Sequence, residues 1–327
     1  MPERSGVVNL PVDGHMLSYF LRRTLQTIPT LAGVILLVFF LFKAFGGDPA
    51  EILGGLQATP EQIESIRNEL GLNEPIGVQL WLFVTKVLSF DWGSSWATRE
   101  PVVEIFRSRL PATLTVMMPI LLLEVALAVV AGLAVARVRG TLTDRLVMLI
   151  STVAMSISFL VYIIIGQYLF AFELGWFPVQ GWSNSLATNL LRFAPLPVLL
   201  AVAVSLGPYT RLYRSFFLDE IGQDYVRTAR AKGAGEARIL FVHVLRNALI
   251  PILTNVATHL PSVFIGSFLI EVFFSIPGLG REVYTAVNRS DYPVIEAVTV
   301  YLAVLTMAIN LVTDLLYKVV DPRVVLK

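Results

Sequence analysis

Long apolar segments at six places in the chain constrain its fold more than any other sequence feature. The predicted segments are residues 24–42, 112–136, 146–172, 194–217, 249–274 and 294–317. A helix needs roughly 20 apolar residues to cross the hydrocarbon core of a bilayer, and these segments have about that length. We therefore predict an all-α polytopic membrane protein with about six transmembrane helices.

Two of the predicted spans are unusual. The third, at 146–172, is longer than a bilayer requires and is expected to tilt. The fourth, at 194–217, is the weakest prediction, because three prolines and a glycine interrupt it. These residues are Pro195, Pro197, Gly207 and Pro208.

The composition agrees with a lipid environment and excludes several functions. Charged residues are 15% of the 327-residue chain, whereas a soluble domain carries about 25%. The formal net charge of +1 does not suggest the basic surface of a nucleic-acid-binding protein, so no nucleic-acid partner is expected. The chain has no cysteine, which excludes disulfides, thiolate catalysis and cysteine-based metal sites.

The distribution of basic residues predicts the orientation of the chain in the membrane. One set of loops is rich in Lys and Arg, and the opposite set is longer but poorer. Because cytoplasmic loops carry the excess of basic residues, both termini are predicted to be cytoplasmic. The predicted regions are a cytoplasmic N-terminus at 1–23, a first transmembrane helix at 24–42, an extracytoplasmic loop domain at 43–109, a five-helix core at 110–318 with a cytoplasmic loop at 219–246, and a cytoplasmic C-terminus at 319–327.

The predicted extracytoplasmic loop contains a clear helix signal. Thr59 precedes Pro60, Gln62 completes a capping box, and Gly71 is expected to end the helix. The loop is interpreted either as a docking surface or gate for a substrate-binding protein, or as a brace for the helix bundle.

Motifs for familiar chemistry are absent from the sequence. No Gly-x-x-x-x-Gly-Lys-Ser/Thr loop is present to cradle a nucleotide phosphate, and no nucleophile elbow or His-Glu-x-x-His pattern occurs. Pro277, Gly278 and Gly280 predict a turn between spans. No catalytic residue, metal site or cofactor is therefore expected in this chain.

A few polar residues inside the predicted spans are candidates for a solute path. Glu124 lies near the middle of the second span, where a charge is costly and so often functional. Asn255, His259 and Ser262 share a helical face in the fifth span. The alternative is that Glu124 is a neutral, hydrogen-bonded acid and that the other three join helices by polar contacts.

The predicted cytoplasmic loop carries the most specific motif. Residues 224–233 read Asp-Tyr-Val-Arg-Thr-Ala-Arg-Ala-Lys-Gly, and residues 246–251 read Arg-Asn-Ala-Leu-Ile-Pro. This pattern closely resembles the cytoplasmic signature of ABC-importer permeases, in the version found in the dipeptide/oligopeptide/nickel family. Arg227, Thr228 and Ala229 stand where other permeases have Glu-Ala-Ala, and Gly233 stands at the motif glycine.

Further motifs resemble this family in order along nearly the whole chain. They include Gly47-Asp48-Pro49, Leu70-Gly71-Leu72, Asp91-Trp92-Gly93, Arg109-Leu110-Pro111, Gly175-Trp176-Phe177-Pro178, Pro277-Gly278-Leu279-Gly280, Asp291-Tyr292-Pro293 and Asp321-Pro322-Arg323. The pattern is similar to the permease that has a large loop after its first span. One departure is Ser156-Ile157-Ser158, where the family usually has a proline and, shortly after, a tryptophan; this departure leaves the choice of substrate open.

The resemblance implies a type I ABC importer permease fold, with an extracytoplasmic loop domain and a helix near 223–232 that docks on an ATPase. It implies apolar contacts to the ATPase from Tyr225, Val226 and Ala229. Acidic residues of the same ATPase would contact Arg227, Arg230 and Lys232. Thr228 belongs to the same coupling segment. Gly233 would allow a backbone angle or a close approach that a side chain forbids. A loop that binds anionic lipid is the alternative reading.

The resemblance also implies the partners. They are a second homologous permease, two ATP-binding cassette ATPases that bind ATP and Mg, an extracytoplasmic substrate-binding protein, and the lipid bilayer of the inner membrane. The expected function is import of dipeptides, oligopeptides or related solutes by alternating access. A secondary transporter and a membrane scaffold without transport are the rival functions, but no inverted repeat of the kind secondary transporters have is visible.

Overall fold

The computed structural model describes the backbone of residues 12–55 and 57–320 and the side chains of 25–44, 46–55 and 57–314. The ends of the two predicted terminal regions, 1–11 and 321–327, lie outside the described residues. Helices dominate the described chain. They are α1 (Val12–Phe45), α2 (Pro49–Gly54), α3 (Pro60–Glu69), α4 (Ile76–Ser89), α5 (Val102–Arg137), α6 (Leu142–Met155), α7 (Phe159–Gly166), α8 (Leu186–Thr188), α9 (Pro195–Ile221), α10 (Asp224–Ala231), α11 (Glu236–Arg238), α12 (Leu245–Ile265), α13 (Phe268–Phe273), α14 (Leu279–Asn288) and α15 (Tyr292–Val320).

Three wide π-helical segments continue or connect these helices. Gln167–Glu173 extends α7, Asn189–Phe193 follows α8, and Ile239–Val244 connects α11 to α12. In the described residues, five helical stretches are long and apolar enough to cross a membrane, and α6 with the extended α7 brings the number to six if that pair is one span. The prediction of an all-α polytopic protein is confirmed.

The third predicted span differs from the expectation of one tilted helix. Helices α6 and α7 meet at an angle of 89°, because Ser158 adopts an extended conformation at the start of α7. The Tyr162 hydroxyl crosses the bend and donates to the Ala154 carbonyl at 3.1 Å. The span is therefore broken at Ser156–Ser158 without a proline. The Ala154 carbonyl at the break accepts from the Ile157 amide at 3.3 Å as well as from the Tyr162 side chain.

The fourth predicted span is a continuous helix that its prolines do not break, although it is the least apolar of the five long helical stretches among the described residues. Pro195 and Pro197 occupy the first turn of α9, where a missing N–H breaks no helical bond, and Pro208 is accommodated inside the helix. The fifth predicted span is not continuous. Helix α12 ends at Gly266, whose φ of 82° lies in the left-handed region, and α13 starts two residues later.

Helix α9 packs along α5 at the centre of the bundle. Gly132 allows their backbones to approach closely, since a Cβ at this position would lie 3.0 Å from the Arg214 nitrogen and 3.2 Å from the Tyr213 Cβ. Helix α6 is tied to α9 by an ion pair in which Arg214 donates to both oxygens of Asp144, at 2.8 and 2.7 Å. These contacts make α5, α6 and α9 one packed unit.

The two ends of the bundle have different connections. Residues 46–101, which include α2 to α4, join α1 to α5 at one end, hereafter the loop end. Helix α10 lies at the opposite end, hereafter the α10 end. At the loop end, Thr59 and Gln62 form the predicted capping box of α3, and Gly71 follows with a φ of 67°. The carboxylate of Asp291, just before α15, accepts from the Ser95 hydroxyl and the Trp96 amide and so fixes the loop to the last span.

Candidate functional site: a coupling segment and a polar helix interface

Helix α10 contains most of the predicted ATPase-coupling residues. Asp224 occupies its first turn and Arg230 its last turn, an order that complements the helix dipole. The apolar residues Tyr225, Val226 and Ala229 are spaced so that they share one face of the helix. The sequence therefore produces a short amphipathic helix at the position that the resemblance implied.

The apolar face of α10 packs against the bundle of the same chain. Val226 is fully buried beside Leu133 of α5 and Phe217 of α9, and Tyr225 and Ala229 pack at the edge of this cluster. Val226 is therefore closed to an ATPase, and its burial removes apolar area from water and holds α10 to the bundle. Tyr225 and Ala229 are only partly buried, so their contact with an ATPase stays a prediction.

Tyr225 adds a polar attachment to this apolar one. Its hydroxyl donates to the Glu220 carboxylate at 2.5 Å, across the turn that joins α9 to α10. Burial, reinforced by this acceptor, raises the pKa of Tyr225 to about 12. The phenol is therefore neutral and able to donate at any physiological pH.

Gly233 ends α10 in a Schellman motif. The Ala234 amide donates to the Ala229 carbonyl at 3.1 Å, and the Gly233 amide donates to the Arg230 carbonyl at 3.0 Å. Gly233 has a φ of 81°, and a Cβ there would meet no atom within 4 Å. Of the two roles expected for this glycine, the structure shows the backbone angle. No described atom of the chain approaches it closely, and a close approach by an ATPase stays a prediction.

The opposite face of α10 is polar and open. The Arg227 side chain is 75% exposed and lies 3.5 Å from Asp224 on the same face. Thr228 and Lys232 are exposed, and the Thr228 hydroxyl donates to the Asp224 carbonyl of its own helix. Arg227 and Lys232 are thus available to an external acidic partner.

Arg230 is engaged within the chain instead. Its guanidinium donates to both carboxylate oxygens of Glu236, at 2.7 and 3.2 Å, and this charge-assisted pair raises the pKa of Arg230. The pair spans the turn from α10 to α11 and braces it. The Arg230 side chain is still 49% exposed, so its contact with an ATPase stays a prediction.

Glu124 and two of the other solute-path candidates are brought together between α5, α9 and α12. Glu124 is buried and hydrogen-bonded with Ser205 of α9. The Tyr213 hydroxyl donates to the Asn255 side chain at 3.1 Å. The ring of His259 meets that of Tyr209 edge-on, at 5.5 Å.

Ser262 does not join this polar interface. It is exposed, and its hydroxyl donates to the His259 carbonyl of the same helix. The sequence interpretation also missed the partners supplied by α9, namely Ser205, Tyr209 and Tyr213. Their four-residue spacing, which places them on one face of a predicted span, is the signal that could have found them.

A further buried carboxylate, Glu271, was not among the predicted residues. It accepts from the Thr113 hydroxyl at 2.8 Å and from the Arg281 amide at 2.7 Å, while Thr113 accepts from the Leu279 amide at 2.7 Å. Together Glu271 and Thr113 satisfy amides in the first turn of α14, where the sequence predicted only a turn. A carboxylate inside a predicted span was the available signal.

These features define a class of protein: an all-α, multi-pass membrane protein with a short amphipathic helix fixed to one end of its bundle. Residues 128–326 match the family described as binding-protein-dependent transport system inner membrane component, and residues 16–117 match the N-terminal region of the same kind of membrane component. The chain belongs to this family. It is a transmembrane permease subunit of an ABC importer and a multi-pass inner membrane protein.

Relatives cover nearly the full length of the chain. A Brucella abortus protein named as a peptide transport system permease is 36% identical over 312 residues, which are 94% of this chain and 99% of the relative. The glutathione transport system permease of Salmonella typhimurium is also 36% identical, over the same shares of the two chains.

Proposed function

We propose that this chain forms part of the membrane pathway of an ATP-driven importer of peptides. A second related permease completes the pathway, an extracytoplasmic binding protein delivers the solute, and two ATPase subunits bind ATP and Mg. The family membership supports the transport role, and the names of the relatives support a peptide or glutathione-like solute. The chain itself contributes no ATPase site.

The proposal rests on the way in which α10 is attached, with one face fixed to the bundle and the other face open. Its inner face is held by Val226 in the same cluster as α5, α9 and α12, and its outer face presents Arg227 and Lys232. A force applied to the outer face by an ATPase would therefore move the bundle, because the inner face cannot shift without exposing apolar area.

The polar interface lies on the helices that α10 holds. Glu124, Asn255 and His259 are carried by α5 and α12, and their partners are carried by α9. A displacement of these helices relative to a second permease would change the access of solute to this interface. The three residues are therefore proposed as groups that face or border the solute path, and Ser262 as a secondary candidate on the exposed side of α12.

Charge reversal on the outer face of α10 tests the coupling role. R227E should reduce ATPase recovered with the affinity-purified chain by tenfold or more and should abolish solute uptake. R107E is the matched control, since Arg107 is 82% exposed at the loop end. Full ATPase recovery and full uptake with R227E would overturn the coupling role of this face.

The solute class is tested by uptake in proteoliposomes that contain the complete transporter. When ATP is supplied on the side of the membrane that carries the ATPase subunits, labelled dipeptides or oligopeptides should accumulate on that side. Unlabelled peptides or glutathione should compete with this uptake. Uptake driven by an ion gradient in the absence of ATP would instead indicate a secondary transporter.

The orientation is tested by labelling of single cysteines, because the natural chain has none. E61C in α3 should react with an impermeant maleimide in intact spheroplasts. T228C in α10 should react only after the membrane is opened. The reverse result would place α10 outside the cell and would contradict the coupling role.

A further inference from the structure

Helix α4 has an apolar surface on two sides, which is unusual for a helix in a loop between spans. Its inner side packs on α1 and α15 through Phe83, Val84 and Val87. Its outer side carries Val78, Trp81 and Leu88, of which Trp81 is 67% and Leu88 is 64% exposed. Apolar sides of a helix are normally covered.

The length of α4 excludes a transmembrane path. Its 14 residues extend about 21 Å at 1.5 Å per residue, which is less than the hydrocarbon thickness of about 30 Å. Apolar helices of this length are typical of buried cores or of membrane interfaces. Because one side of α4 is open, an interfacial position fits this helix.

The outer side of α4 continues the exposed surface of the first span. Phe83 of α4 meets Phe39 of α1 with ring centroids 5.8 Å apart. On other sides of α1, Leu37 is 63% and Phe40 is 50% exposed, on a helix apolar enough to cross a membrane. The lipid that solvates α1 at the loop end therefore lies next to α4.

The end of α4 supplies a separate observation. Phe90 caps the helix with a φ of 56°, a left-handed conformation in which glycine is usual, and its ring is 67% exposed. Trp81 is of the residue type that concentrates at the boundary between lipid and water.

We propose that α4 lies in the outer lipid–water interface as a membrane-surface helix beside α1, with Val78, Trp81, Leu88 and Phe90 among the acyl chains. The occupant of this face is the bilayer. The segment between α1 and α5 is thereby anchored at its middle, while α2 and α3 remain in water.

Spin labels on single cysteines test this position in the complete transporter reconstituted in phospholipid bilayers. W81C and L88C carry the label on the outer side of α4, L37C gives the value for a lipid-facing site on α1, and E61C gives the value for a site in water. Oxygen concentrates in lipid, whereas a soluble nickel chelate stays in water. The reagent that relaxes the spin label more strongly therefore shows whether the label lies in lipid or in water.

The expected result is that W81C and L88C resemble L37C, with at least threefold greater accessibility to oxygen than to the nickel chelate, whereas E61C shows the opposite ratio. Values like those of E61C would place the face in water and overturn the proposal. Low accessibility to both reagents would show that a protein partner covers the face, which would also overturn it. L88C keeps the test valid if W81C fails to assemble.

Discussion

The Thr113 hydroxyl of α5 donates to the buried Glu271 carboxylate at 2.8 Å and accepts from the Leu279 amide at 2.7 Å. One side chain thus joins α5, α13 and the start of α14. Removing it leaves the buried Leu279 amide without a partner, at a cost of about 1–3 kcal/mol, and takes one of its hydrogen bonds from the Glu271 carboxylate.

Thr113→Val is therefore expected to lower the thermal unfolding temperature of the purified permease by several degrees. Thr113→Ser, which keeps the hydroxyl, should stay close to the natural chain. Thr285→Val is the control, because the Thr285 hydroxyl is exposed and bonds only the Arg281 carbonyl of its own helix. Equal unfolding temperatures for the Val and Ser variants at position 113 would contradict the role of the hydroxyl.

Gly278→Ala should destabilise the same region through steric overlap. A Cβ at Gly278 would overlap the Glu271 carboxyl group and force it away from the Arg281 amide. Gly77→Ala in α4 is the control, because a Cβ there meets nothing within 4 Å. It is expected to be neutral or stabilising by up to about 1 kcal/mol, since alanine favours a helix. Thermal unfolding followed by tryptophan fluorescence compares the two.

Substitution of Gly233 should uncouple transport while the chain still inserts into the membrane. The left-handed backbone conformation costs about 1–2 kcal/mol for a residue with a Cβ, so Gly233→Val should distort the end of α10. Gly233→Asn should be milder, because asparagine tolerates this conformation.

The measurements for Gly233 are ATPase stimulation and solute uptake at matched membrane levels. Both activities are expected to be highest in the natural chain, lower in Gly233→Asn and lowest in Gly233→Val. Since a Cβ at this position has open space within the chain, equal loss in the Asn and Val variants would point to a steric contact with the ATPase and not to the backbone angle.

The ion pair between Arg214 and Asp144 should contribute more to stability than an exposed pair. Their side chains are 19% and 7% exposed, and breaking a buried pair costs about 3–5 kcal/mol because one charge is left without a partner. Arg214→Ala should therefore unfold at a clearly lower temperature, whereas Arg107→Ala, which breaks an exposed pair with Glu104 at 4.0 Å, should cost less than about 1 kcal/mol. Similar losses in both variants would contradict the inferred burial.

The attachment of α3 to the start of the loop should weaken in acid. Burial opposes ionisation of Asp48, but the Arg67 guanidinium and the Ala50 amide outweigh it and hold the pKa of Asp48 below its usual value. A lowered pKa stabilises the folded loop above the unfolded value of about 3.9, and this contribution is lost as the pH falls through the lower folded value. Protease sensitivity of residues 46–71 should therefore rise below about pH 4. Asp48→Asn should be more sensitive than the natural chain at neutral pH, with less change in acid.

The class of the fold could be predicted from the sequence, because membrane-spanning helices require apolar segments long enough to cross a bilayer. The sequence also predicted the start of α3 and the position of α10, since capping residues and amphipathic spacing act locally. The sequence did not predict the bend before Phe159. The extended conformation of Ser158 and the hydrogen bond from Tyr162 to Ala154 depend on tertiary packing and not on a proline.

The candidate sites were predicted less completely than the fold. The position of Gly233 follows from its motif, whereas the inward direction of Val226 depends on which side of α10 meets the bundle. Glu271 and Thr113 are separated by 158 residues, so no local pattern relates them. Tyr209 and Tyr213 became visible as partners of His259 and Asn255 only when α9 was placed beside α12.

The burial of Val226 has a consequence for how the transporter changes shape. Because α10 shares a core with α5, α9 and α12, these helices are expected to move as one rigid body when an ATPase displaces α10. If a second permease completes the pathway as proposed, the motion is expected outside this core, where the two permeases meet. Distances between probes on α10 and α5 should stay constant through the ATP cycle, while distances from either probe to the other permease should change.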